Sequence, residues 1–86
     1  MGDVSTNPLD AILAVASKAH ARYGSPASSH ESLGVIAEEF DELRDAIRRN
    51  DMGAISKEAI DLAASAYRLA LACDMYTVAF VGRSTK

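Results

Sequence analysis

The chain has 86 residues, 49% of them apolar and 24% charged, with nine basic against twelve acidic side chains and a net charge of -3. This composition describes one folded domain spanning residues 1–86, near the lower size limit for a self-sufficient core, and it excludes a disordered chain. No run of Lys or Arg could follow a phosphate backbone, so nucleic acid is excluded as an expected partner.

Met1 to Pro8 lacks the basic segment and apolar run of a signal peptide, and Cys73 is the only cysteine, so no internal disulfide can form. Both features lead us to expect a cytoplasmic protein, with Cys73 packed as a small hydrophobe. Asn7-Pro8 reads as an N-cap followed by proline at the first helical position, and Gly24-Ser25-Pro26 as the stop. The first helix is therefore expected over Pro8 to Tyr23, burying Leu9, Ile12, Leu13, Ala16, Ala19 and Tyr23, with Lys18 and His20 near the surface.

Ser28-Ser29-His30-Glu31 is a capping box, which opens a second helix running from Ser29 to Arg49. Leu33, Ile36, Ala37, Phe40, Leu43 and Ile47 form its expected core face, and Arg48-Arg49-Asn50-Asp51 followed by Gly53 closes it. A third helix is expected from Ser56 to at least Asp74. The pattern over residues 75–86 decides between neither helix, strand nor tail. The fold expected is thus all-α, a short bundle of three main helices. The apolar stretch from Ala59 to Gly82 is interrupted by Asp61, Arg68 and Asp74, which argues against a membrane span.

Around the second helix, Glu38, Glu39 and Glu42 fall within one turn, where like charges repel unless cations or solvent screen them. Such a group is most often a solvated acidic face. The third helix argues otherwise: Ile55, Leu62, Ala66, Leu69 and Cys73 line one side, and Ile60, Tyr67, Leu71, Met75 and Val78 nearly the opposite one. Glu58, Asp61, Ser65 and Arg68 are confined between them. A helix apolar on two sides is sandwiched, and acids held between apolar stripes need partners or metals. An antiparallel pair of helices can aim Glu58 and Asp61 at the acids of the second helix, making an oxygen site suited to Mg²⁺, or to Mn²⁺. There is no Cys/His cluster for Zn²⁺ and no glycine loop for phosphate.

Glu38-Glu39-Phe40-Asp41-Glu42, then fifteen residues, then Glu58-Ala59-Ile60-Asp61 resembles the E-E-x-x-E … E-x-x-D signature of the MazG-like all-α nucleoside triphosphate pyrophosphohydrolases. The likeness runs from about Ser28 to Cys73. It implies Glu39, Glu42, Glu58 and Asp61 as metal ligands and Glu38 as the base that orients water or a second-metal ligand. It also implies a homodimer or homotetramer, which the doubly apolar third helix suggests independently. Longer members carry lysine and asparagine contacts in a further helix, whereas only Arg83 and Lys86 are basic beyond Arg68 here. Arg68 shares a stripe with Asp61 and is expected to pair with it or to meet a substrate phosphate.

The function expected is Mg²⁺-dependent hydrolysis of a nucleoside triphosphate between its α and β phosphates. The alternatives are a non-catalytic helical module that binds a cation, nucleotide or protein, and a structural bundle with solvated acids. Base and sugar preference are set by pocket shape and are not legible at this level.

Overall fold

Each of the three helices begins where a polar side chain can satisfy free backbone donors. The computed structural model describes the backbone of residues 7–79 and the side chains of residues 7–74. Among these residues the fold is all-α, with α1 at Pro8–Tyr23, α2 at Ser29–Arg49 and α3 at Met52–Ala79, and no strand. Asn7 caps α1 by accepting hydrogen bonds from the amides of Leu9 and Asp10 at 2.7 and 3.3 Å. Gly24 ends it at φ +75°, a backbone conformation that costs glycine little. Ser28 Oγ accepts from the Glu31 amide at 3.1 Å, and Glu31 Oε1 accepts from the Ala27 amide at 2.7 Å. The box is therefore shifted, its return bond reaching the residue before the cap.

The junction of α2 and α3 departs from expectation. Asn50 takes the left-handed conformation (φ +58°) as the C-cap of α2, and Asp51 then caps α3, accepting from the Ala54 amide at 3.0 Å. Asp51 thus starts a helix instead of closing one, and Gly53 lies in the first turn of α3. The far end also extends past Asp74: residues 75–79 continue the helix, while residues 80–86 lie outside those described.

A two-residue connection forces α2 and α3 into an antiparallel hairpin. α1 packs on α3 as well, and among the described residues it makes no packing contact with α2. α3 is consequently the spine, and the molecule measures 46 × 30 × 24 Å. Among the described residues the buried apolar ones are all alanines, Ala16, Ala46, Ala64 and Ala72, joined by buried Ser32. Small side chains let helix backbones approach closely, and on α2 Ser32, Glu39 and Ala46 recur every seven residues on the side facing α3.

That packing turns the expected core faces. Leu33, Phe40 and Ile47 are 62%, 51% and 55% exposed, Ala37 is also exposed, and only Ile36 and Leu43 of the expected α2 face are half-buried. On α1, Ala16 is buried and Ile12 and Ala19 are half-buried, but Leu9, Leu13 and Tyr23 are exposed. Cys73 is exposed too, not packed as a hydrophobe. On α3 the buried residues are Ala64 and Ala72, and Glu58, Asp61, Ser65 and Arg68 of the polar stripe are half-buried.

Candidate metal centre

Because α3 turns its polar stripe inward and α2 turns Glu39 toward α3, three carboxylates meet. One oxygen from each of Glu39, Glu58 and Asp61 lies within 4.8 Å of the other two. All three residues are half-buried, Glu58 and Asp61 with side chains only 17% and 22% exposed. Glu39 Oε1 and Glu58 Oε1 are buried without a hydrogen-bond partner among the described residues. A buried polar atom left unpaired costs roughly 1–3 kcal/mol, so these two oxygens favour a partner such as a water or a cation.

The electrostatics agree. The Glu39 carboxyl is pushed above its ordinary value of 4.5, first by burial and then by the charges of Glu42, Asp61 and Glu58, with a hydrogen bond to Glu42 adding to the shift. One cation touches the cluster among the described residues: Lys57 Nζ lies 2.9 Å from Asp61 Oδ2 and 3.7 Å from Glu58 Oε2. Its ammonium is held above the usual lysine value, chiefly by the hydrogen bond and charge of Asp61. Sequence reasoning passed over Lys57, although its i, i+4 spacing to Asp61 was the available signal.

Of the four expected ligands, Glu39, Glu58 and Asp61 are brought together. Glu42 is exposed and outside the three-residue group, one turn further along α2 but close enough to act on Glu39. Glu38, about 100° round the helix from Glu39, is exposed and also outside the group. Arg68 does not pair with Asp61. Its Nη2 donates to the Gly24 carbonyl at 2.6 Å, tying the end of α1 to α3, while Asp61 pairs with Lys57. The Ser65 hydroxyl donates to the Asp61 carbonyl at 3.0 Å, bonding back along the helix.

Of the three acids, Glu39 alone borders a cavity of about 540 Å³ that runs past Ser32 and Ser65 to Arg68 and the Gly24–Ala27 loop. A second cleft of about 370 Å³, between α1 and α3, has Leu13, His20, Tyr67 and Leu71 in its walls and Arg68 at its border with the first. The donor set is entirely carboxylate oxygen and has two unpaired buried atoms among the described residues. These features fit a hard divalent cation such as Mg²⁺, which takes few carboxylates and leaves other positions to water or phosphate.

No helix among the described residues is long and apolar enough to cross a membrane. Comparison with family models, curated proteins and solved structures yields no match to this chain.

Proposed function

We propose that this chain is a MazG-like, Mg²⁺-dependent nucleoside triphosphate pyrophosphohydrolase of the cytoplasm, cleaving between the α and β phosphates to give a monophosphate and pyrophosphate. The observation that supports this reading most is the meeting of Glu39, Glu58 and Asp61 with two buried oxygens unpaired. When bound, Mg²⁺ or Mn²⁺ would neutralise phosphate oxygens and lower the pKa of an attacking water. Glu39, Glu58 and Asp61 would hold the ion, with Glu42 at the rim. Glu38 is assigned to orient the water, and Arg68 retains guanidinium donors beyond the one given to Gly24 that can meet a phosphate in the adjoining cavity.

The exposure of Glu38 away from the three acids favours the second reading, a module that binds a cation or nucleotide without turning it over. A homodimer or homotetramer belongs to either reading. Among the described residues no large side chain is fully buried, and Leu33, Phe40 and Ile47, with Ile36 and Leu43 between them, form a heptad seam along α2 that a second copy would cover.

Product analysis separates the readings. Purified protein with Mg²⁺ and a panel of ribo- and deoxyribonucleoside triphosphates is expected to release pyrophosphate; Glu38→Gln should lower turnover about a hundredfold while sparing metal binding, and Asp61→Asn should weaken both. No cleavage of any triphosphate would leave the binding module, and release of orthophosphate with a diphosphate would place the attack on a different bond.

A further inference from the structure

The cleft between α1 and α3 stands apart from the acids. Its volume of about 370 Å³ lies within the range of small-molecule sites, and none of Glu39, Glu58 and Asp61 borders it. Ala16 and Ala72 are buried at its base, while Leu13, Tyr67 and Leu71 in its walls stay 43%, 41% and 44% exposed. Three large apolar side chains that share one hollow and remain this open form a contact surface without a partner in this chain, unlike scattered surface residues.

The cleft is polar at one end only. With Gly24 tied to Arg68, and Leu13 and Ala16 sharing the cleft with Leu71 and Ala72, α1 runs antiparallel to α3. His20 and Ser25 therefore gather with Arg68 at one end, and Leu13 lies with Leu71 and Ala72 about a turn away, at the other. Among the described residues no carboxylate lines the cleft, although the chain carries a net charge of -3. Gly24 takes one of the N–H donors of the Arg68 guanidinium and leaves the others to a ligand. An apolar slot closed at one end by a fixed positive charge is complementary to a flat apolar body that carries one negative group. The α2 seam of a second copy matches it poorly, because Arg48 and Arg44, which sits over the Phe40 ring, follow the edge of that seam and would face Arg68. We propose that the α1–α3 cleft binds a small organic acid with an aromatic or similarly flat apolar body, its acid group on Arg68 and its body between Leu13, Tyr67 and Leu71. The site is independent of the metal centre.

Titration of the full chain with 2-naphthoate, followed through amide chemical shifts, tests the proposal, with 2-naphthalenemethanol as a neutral probe of nearly the same shape. Naphthoate should move the amides of residues 13–20 and 67–72, and the alcohol should bind at the same place about tenfold more weakly, lacking a charge-assisted contact. Arg68→Gln should bring naphthoate down to the affinity of the alcohol, whose own binding reports that the cleft is still formed. Arg68→Lys should keep a preference for the acid, and Leu71→Glu should remove both probes. Equal affinity of wild type for acid and alcohol, no binding of either, or shifts centred on residues 33–47 of α2 would each overturn the proposal. So would naphthoate binding that weakens as protein concentration rises, which would put a second copy in the cleft.

Discussion

The acid cluster should make stability depend on divalent metal, and the size of the effect follows from chain length and mass action. Unfolding entropy of about 2.1 cal/mol/K per residue gives roughly 0.18 kcal/mol/K for a chain of this size. An ion bound only by the native state, present at a hundred times its Kd, adds about 2.7 kcal/mol. Together they predict that saturating Mg²⁺ or Mn²⁺ raises the melting temperature by about 15 °C, measured by circular dichroism against NaCl of equal ionic strength. Glu39→Gln should reverse the order of stability. In chelator it should melt above wild type, because a half-buried charge facing Glu42, Asp61 and Glu58 has been removed; with Mg²⁺ it should melt below, because a ligand has gone. Glu42→Gln should keep much of the metal shift, since Glu42 is exposed and lies outside the three converging oxygens. An equal metal response from wild type and Glu39→Gln would refute the reasoning and make the cluster an ordinary charged surface.

The raised Glu39 pKa fixes a sign with pH: the folded state holds that proton more tightly than the unfolded, so in chelator its destabilising effect is absent below 4.5 and fully developed once pH exceeds the raised value. Urea midpoints should accordingly fall over that window in wild type relative to Glu39→Gln, and parallel curves would contradict the assignment. Phe40→Glu, in the middle of the α2 seam, should convert an oligomer to a monomer in sedimentation at micromolar concentration; a wild-type protein already monomeric there would remove the proposed interface. Ala46 is 0% exposed at the α2–α3 contact, so Ala46→Leu should overpack it and cost about 1–3 kcal/mol in urea unfolding.

Local chemistry determined a large part of this molecule. Asn7-Pro8, the Ser28–Glu31 box and Gly24 set the limits of α1 and α2, because a cap is a contact between residues two to four apart and needs nothing from the rest of the chain. The meeting of Glu39 with Glu58 and Asp61 was legible for a similar reason, since helical periodicity fixes which side of its own helix each occupies, whereas Glu38 and Glu42 fall outside the group. Asp51 was misread because an aspartate after Asn50 serves a C-terminus and an N-terminus equally well, and only the left-handed turn at Asn50 assigns it to α3.

The tertiary structure decided which way each helix turned. Periodicity marks an apolar stripe but not what covers it, and close packing through Ser32, Ala46 and Ala64 directed Glu39 inward and left Leu33, Phe40 and Ile47 outside. It also set the cation partners. Asp61 pairs with Lys57 one turn away on the same helix, and Arg68, two turns away, donates to the Gly24 carbonyl, 44 residues from it in the chain. That second contact depends on where α1 ends against α3, a distance no one-dimensional pattern contains.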